Sequence, residues 1–126
     1  MHTVIRTPTF LSDAKAAGLS EDEQDFVVAE ISKNPRSGDV MEGTGGCRKL
    51  RFAGKGKGKS GGYRTIHYFG GDDVPVLLLA LINKGEVANL SKAERNELRK
   101  MLSGYADDYR KGVSEKLAAE RQPQRE

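Results

Sequence analysis

The hydrophobic pattern predicts a brief strand followed by two helices. His2–Arg6 is rich in β-branched residues, which favours a strand, and Phe10–Ala17 has the pattern of a short helix. Ser20 and Glu23 have the spacing of a capping box, which marks the start of a second helix. Apolar residues then recur at helical spacing, at Phe26, Val27, Ala29 and Ile31. The pair Asn34-Pro35 ends this helix, because proline disfavours helical backbone in the residue before it.

From residue 47 onward the period changes from helical to alternating. One set of alternate residues consists of Cys47, Lys49 and Arg51. The residues between them, on the opposite face, are Arg48, Leu50 and Phe52. This spacing predicts a strand that turns Leu50 and Phe52 inward. Tyr63–Phe69 predicts a second strand, Gly70–Asp73 a hairpin turn, and Val74–Ile82 a buried central strand.

The last predicted element is a C-terminal helix over Ser91–Arg110. Ser91 and Glu94 form a second capping-box pattern. The apolar face behind it consists of Leu98, Met101, Leu102 and Tyr105. The predicted order is β-α-α-β-β-β-α, an α+β domain with a small, mostly antiparallel sheet, two N-terminal helices and one C-terminal helix. We expect one domain over residues 1–110 and a helical or frayed extension over 111–126.

Charge is distributed unevenly along the 126 residues. The net charge is only +3, yet the segment from Gly43 to Gly71 carries seven Lys/Arg, ten glycines and no carboxylate. Such a segment favours a polyanionic ligand. One cysteine and two separated histidines predict no metal centre, and the residues suggest no other cofactor. The absence of a signal-peptide pattern and of a long apolar run favours the cytoplasm and no membrane span.

The glycine- and lysine-rich run at residues 54–59 has four interpretations. Ala53–Ser60 approaches the phosphate-binding loop of an NTPase, but that motif requires a helix directly after it, and a strand pattern follows here. The run also suits a soluble hairpin tip, a passive RNA- or DNA-binding module, or an enzyme that acts on RNA. The flanking residues must distinguish among these.

Cleavage of RNA by its own 2′-hydroxyl requires a proton acceptor, stabilisation of the phosphorane and protonation of the leaving oxygen. The segment offers cations for this work at Lys49, Arg51 and Arg64, with Lys84 just after the third strand. His67 lies on a strand among apolar neighbours, so we expect it to be a packing residue. A cluster with so few proton-transfer groups would benefit from a larger partner that positions the RNA.

The motifs over residues 43–69 resemble those of the HigB branch of the RelE/ParE toxin superfamily. The similar stretches are Thr-Gly-Gly-Cys-Arg-Lys-Leu-Arg-Phe and the later Gly-Gly-Tyr-Arg-Thr-Ile-His-Tyr-Phe, and the resemblance extends over roughly residues 2–105. It implies a bacterial type II toxin with a small microbial-RNase-like fold that cleaves mRNA in the ribosomal A site. It also implies a helix-turn-helix, HigA-like antitoxin as partner and a free toxin that is monomeric.

The resemblance also implies roles for individual residues. Lys49 would accept the proton, while Arg51 and Arg64 would hold the scissile phosphate. Lys84 would act as phosphate ligand or acid. The RNA backbone would be contacted by Arg48, Lys55, Lys57 and Lys59.

One position departs from the pattern of the similar toxins. They carry a tyrosine two positions before the last basic residue, as an aromatic platform for the RNA base, where this chain has Ile82. Tyr68 shares its predicted strand face with Arg64 and is the candidate replacement. The alternative function is a non-catalytic RNA-binding or regulatory module of the same fold.

Overall fold

The computed structural model describes residues 2–53, 62–83 and 90–121, and those residues form nine elements. In chain order they are β1 (Val4–Arg6), α1 (Pro8–Ala17), α2 (Glu21–Lys33), β2 (Asp39–Val40), β3 (Cys47–Phe52), β4 (Tyr63–Tyr68), β5 (Val76–Asn83), α3 (Lys92–Ser103) and α4 (Tyr105–Arg121). The α+β class predicted from the sequence is confirmed.

A single five-stranded sheet in the order β1-β5-β4-β3-β2 organises the fold. β1 runs parallel to β5, with Val4 opposite Val76, and the other neighbouring strands are antiparallel. The mostly antiparallel sheet is therefore as predicted. β2 is an addition, because a two-residue strand leaves too short a pattern to detect in the sequence.

The C-terminal helix is the clearest correction to the prediction. The helix expected over Ser91–Arg110 is interrupted at Gly104, whose N–H bonds to the carbonyl of Leu102. Glycine costs a helix interior about 1 kcal/mol relative to alanine, so the break falls where the helix is weakest. α4 then continues through Arg121, into the extension expected over residues 111–126. None of the helices in the described residues is long and apolar enough to cross a membrane.

The sheet separates two hydrophobic clusters. On one side α1 and α2 cover the sheet, and the buried side chains there are Phe10, Ala14, Val27, Ile31, Phe52, Tyr63, Val76, Leu78 and Leu81. On the other side lies a smaller cluster under α3, made of Met41, Cys47, Ile66, Leu79 and Leu102. Among the described residues, this smaller cluster covers only part of its sheet face.

Helix α1 also protects one edge of the sheet. β1 pairs only with residues 76–78 of β5, so the rest of that edge needs other partners. The hydroxyl of Thr7 donates to the carbonyl of Leu78 at 3.0 Å, and the carboxylate of Asp13 accepts from the N–H of Leu81 at 3.0 Å. These bonds satisfy backbone groups that would otherwise be available to a foreign strand.

Candidate nucleic-acid interface

Three cations project from the sheet face that carries α3. The register of β3 and β4 places Arg51 opposite Arg64 and Lys49 opposite Ile66. Side chains directly opposite on antiparallel strands have Cβ atoms about 4.5–5.5 Å apart. Arg51 is exposed, and Lys49 and Arg64 are half-buried. We call Lys49, Arg51 and Arg64 the cationic face.

Helix α3 covers one end of this sheet face, and the other end is open as far as the described residues go. Its Leu102 is buried against Cys47 and Ile66, and Leu98 packs beside it. The residue exposure rises along β3, from Cys47, which is fully buried, to Arg51, which is exposed. The cationic face therefore lies at the open end, where a large ligand can reach it.

No ion pair joins the cationic face to an acidic side chain in the described part of the chain, although the register of β2 places Asp39 opposite Lys49. The ion pairs found there are elsewhere, for example between Arg6 and Asp25 and between Arg110 and Asp73. Like charges directly opposite each other on neighbouring strands destabilise a sheet. The pairing of Arg51 with Arg64 thus costs the folded protein stability, and a bound polyanion would remove that cost.

Arg48, a predicted RNA contact, lies away from the cationic face. It pairs with His67, so its side chain is on the α2 side of the sheet. Its guanidinium donates to the backbone carbonyls of Arg36 at 2.7 Å and Gly38 at 3.2 Å. In this structure Arg48 holds the chain before β2 in place. The other predicted cations, Lys55, Lys57, Lys59 and Lys84, lie outside the described residues.

Ile82, which replaces the tyrosine of the similar toxins, and Tyr68, its candidate substitute, lie at different places on the same sheet face. Ile82 is directly opposite Arg64 on β5 and is half-buried. Tyr68 is opposite Cys47, which makes it a diagonal neighbour of Lys49 at about 7–8 Å. Its ring meets Tyr105 of α4 edge-on, with ring centroids 6.2 Å apart. The structure thus places Tyr68 beside Lys49 and further from Arg51 and Arg64.

Helix α4 is fixed beside Tyr68 by two polar contacts. The hydroxyl of Tyr105 donates to the carbonyl of Pro75 at 2.9 Å. Arg110 binds both carboxylate oxygens of Asp73, at 2.7 and 2.9 Å, and these hydrogen bonds hold the pKa of Asp73 below its usual value. Burial raises the pKa of Tyr105, so this phenol stays protonated and serves as a donor.

Sequence reasoning missed two arginines of α3 that border the same sheet face. Arg95 donates to the carbonyls of Glu42 and Leu90, and the side chain of Arg99 lies against Gly45. They hold the glycine-rich turn before β3 against α3. Their spacing of four residues on a helix with apolar Leu98 between them was the available signal.

His67 is a buried packing residue, as predicted, and Cys47 is buried as well. His67 is fully buried on the α1–α2 side, and its Nε2 donates to the carbonyl of Pro35 at 2.8 Å. Burial lowers the pKa of His67, so the ring is neutral, which is consistent with a donating Nε2. Cys47 is also fully buried, and burial raises the pKa of its thiol, which makes it unreactive.

We expect the burial of His67 to make stability depend on pH. Its pKa is lowered in the folded state, so the unfolded chain binds more protons below the unfolded value of about 6.5. The free energy of unfolding should be nearly constant above that pH and should fall as the pH drops below about 6.5. Urea denaturation of wild type and His67→Gln across this range checks this. If His67→Gln loses as much free energy of unfolding on acidification as the wild type does, the expectation is wrong.

The NTPase interpretation of residues 53–60 fails on the element that follows. A phosphate-binding loop must lead into a helix N-terminus, whereas the next element in the described residues is strand β4, which begins at Tyr63, three residues after Ser60. Nor do the described residues bring together any three histidine, cysteine or acidic side chains that could hold a metal ion. The cationic face is suited to binding phosphate groups.

Comparison with known families agrees with this geometry. A family model described as the RelE toxin of the RelE/RelB toxin–antitoxin system matches residues 2–122. The match spans the sheet, both N-terminal helices, α3 and α4, and it includes the cationic face. The chain belongs to the RelE toxin family of toxin–antitoxin systems.

Proposed function

We propose that this toxin is a ribosome-dependent endoribonuclease of the HigB type, which cleaves translated mRNA in the A site and so stops translation in the bacterial cytoplasm. Its neutralising partner would be a helix-turn-helix antitoxin of the HigA type. One observation carries the proposal: Arg51 and Arg64 face each other directly, beside Lys49, and no ion pair among the described residues joins either arginine to a carboxylate. A pair of guanidinium groups in this position suits a phosphate with two or more free oxygens.

In the proposed reaction the 2′-oxygen of the mRNA attacks the adjacent phosphorus and the bond to the 5′-oxygen breaks. Lys49 in its neutral form would take the 2′-hydroxyl proton, while Arg51 and Arg64 hold the phosphate oxygens as negative charge builds on them. Lys84 would supply a proton to the departing 5′-oxygen, and Tyr68 would serve as the aromatic platform for the base. The products are a 2′,3′-cyclic phosphate and a 5′-hydroxyl, and no metal takes part in these steps.

The lysines at positions 55, 57 and 59 would hold RNA without sequence preference. The neighbours of these lysines in the sequence are all glycines, except for Ser60, which follows Lys59. Large side chains next to the lysines therefore do not keep RNA away from their charges. Together with Lys49, Arg51 and Arg64 they form a cationic segment that carries no acidic residue. Contacts of this kind depend on counterion release and weaken steeply with salt.

Cleavage of one defined mRNA with and without ribosomes tests the proposal. We expect the purified toxin to cut the mRNA in the A site of ribosomes stalled on it, and to leave the naked mRNA intact. Equal cleavage of naked mRNA would contradict ribosome dependence. If the toxin binds ribosomes and cuts neither substrate, the protein is the non-catalytic RNA-binding module instead.

A further inference from the structure

A groove of about 710 Å³ lies between α2 and β3, on the side of the sheet opposite α3. Its apolar lining comes from Phe26 on α2 and from Leu50 and Phe52 on β3. Phe26 is 52% exposed, and its ring meets that of Phe52 edge-on with centroids 6.1 Å apart. Phe52 therefore supports the ring of Phe26, while about half of Phe26 stays accessible to a ligand.

Polar side chains border this apolar lining. Lys33 at the end of α2 lines the groove, as do Asn34 and Ser37 just after it. The hydrogen bonds that Asn34 and Ser37 make within the described part of the chain all come from their backbones. Glu30 also lines the groove, and it pairs with Lys33 at 3.6 Å. An amide and a hydroxyl are thus available to bond to the polar edge of a ligand.

The groove meets the cationic face at Arg51. This residue is exposed and lies opposite Arg64 on the neighbouring strand, and it also lines the groove. Lys33 supplies a second cation from the α2 side. A phosphate chain that lies on the cationic face therefore reaches the groove at Arg51, where the next nucleotide can turn its base inward.

The chain before β2 decides which kind of ligand fits the groove. Gly38 lies so close to β3 that a Cβ on it would be 2.5 Å from the carbonyl oxygen of Lys49 and 3.3 Å from the Cα of Leu50. An extended peptide needs a strand edge that is still open, and beside Leu50 this edge is already covered. A nucleobase needs only a ring to stack on and polar groups for its edge.

We propose that the groove binds an unpaired nucleobase of the RNA whose phosphates lie on the cationic face. The base stacks on Phe26, and the side chains of Asn34 and Ser37 bond to its edge. A phosphate beside this base is held at Arg51, so the RNA passes from the cationic face into the groove around that residue. The inference rests on the proposed function, since it takes the cationic face to be the RNA site.

Such a base site selects single-stranded RNA. Bases within a duplex are stacked on one another, whereas unpaired bases can turn outward onto an aromatic side chain. Stacking accepts any base and releases no counterions, so it adds affinity that salt does not remove. The groove thus contributes a contact that the lysines and arginines cannot supply.

Two single-stranded 2′-deoxy oligonucleotides of equal length distinguish base contacts from phosphate contacts. One carries all its bases and the other is abasic throughout, and neither is cleaved because the 2′-hydroxyl is missing. Their Kd values are measured with full-length wild type, Phe26→Ala, Phe26→Tyr and Leu11→Ala. Leu11 is the matched control, because it is an apolar residue of α1 that is 45% exposed.

We expect the wild type to bind the strand with bases about tenfold more tightly than the abasic strand. Phe26→Ala should lower this ratio about fivefold and leave the Kd of the abasic strand unchanged. Phe26→Tyr, which keeps the ring, and Leu11→Ala should both retain the wild-type ratio. An unchanged ratio in Phe26→Ala, or an equal loss of affinity for both strands, would overturn the proposal.

Photocrosslinking of the wild type to an oligonucleotide that carries 5-iodouracil needs no variant. We expect mass spectrometry to find a crosslink at Phe26, and crosslinks that omit Phe26 would contradict the base site. If Phe26→Ala loses affinity for the antitoxin alone, the groove is a protein-binding site instead. A wild-type toxin that cleaves no mRNA on ribosomes refutes the proposed function. The oligonucleotide measurements involve no cleavage, so they then still decide the base site.

Discussion

We expect Arg64→Ala to lower the rate of mRNA cleavage on ribosomes by about 10²–10³-fold, the usual cost of losing one preorganised donor to developing negative charge. Arg64 is half-buried on the central strand β4, between Arg51 on β3 and Ile82 on β5. Its position is fixed by strands on both sides, so the guanidinium can meet the phosphate without reorganisation. The measurement is single-turnover cleavage of mRNA on stalled ribosomes.

The stability of Arg64→Ala should change in the opposite direction to its activity. Removing one of two directly opposed like charges should leave the free energy of unfolding unchanged or raise it, by up to about 1 kcal/mol. Lys15→Ala is the matched control, because Lys15 is an exposed cation on α1 and lies outside the cationic face. Full cleavage by Arg64→Ala would remove Arg64 from the mechanism. A large loss of stability in this variant would mean that its inactivity reports unfolding.

The second large effect concerns Gly38, where we expect Gly38→Ala to lower the free energy of unfolding by about 2–4 kcal/mol. Gly38 has a φ of +90°, and a Cβ there would lie 2.5 Å from the backbone carbonyl oxygen of Lys49. That oxygen belongs to a paired strand and cannot rotate away. Relief of the clash must move β3, so we also expect cleavage to be impaired.

Gly18→Ala is the control that distinguishes the steric clash expected in Gly38→Ala from the cost of a positive φ. Gly18 has a similar φ of +74°, but a Cβ there would meet nothing within 4 Å. Its substitution should cost only the left-handed conformation, about 1–2 kcal/mol. Urea denaturation of the two variants gives the comparison. Equal losses at both positions would show that contact with Lys49 contributes nothing.

Elements set by local chemistry were predictable from the sequence. Both capping boxes form as expected, with the hydroxyl of Ser20 bonded to the N–H of Glu23 and that of Ser91 to the N–H of Glu94. In the second box the N–H of Ser91 also lowers the pKa of the Glu94 carboxylate. A capping box is formed by four consecutive residues, so it depends little on contacts with distant parts of the chain.

Elements that depend on distant residues were not predictable. The parallel pairing of β1 with β5 joins residues more than 70 positions apart, and no pattern in His2–Arg6 specifies its partner. The antiparallel pairing of β2 with β3 likewise depends on where the chain before β2 turns. Such features follow from packing of the whole sheet and are invisible to periodicity.

The candidate site was predictable in part. Alternation along β3 correctly grouped Lys49 with Arg51, and register with β4 added Arg64. Arg48 was included because of its charge, although the same alternation places it on the side of Leu50 and Phe52. Charge identifies a basic segment, but only the strand face decides which of its cations can act together.

The most direct test of the central claim, that the cationic face cleaves mRNA, is sequencing of mRNA 5′ ends after the toxin is induced. Wild type, Lys49→Ala and Arg64→Ala are compared at equal protein levels, with ribosome binding measured in parallel. We predict new 5′-hydroxyl ends within translated reading frames for wild type alone, while all three proteins still bind ribosomes. Growth arrest by the wild type without any new 5′ ends would contradict the claim.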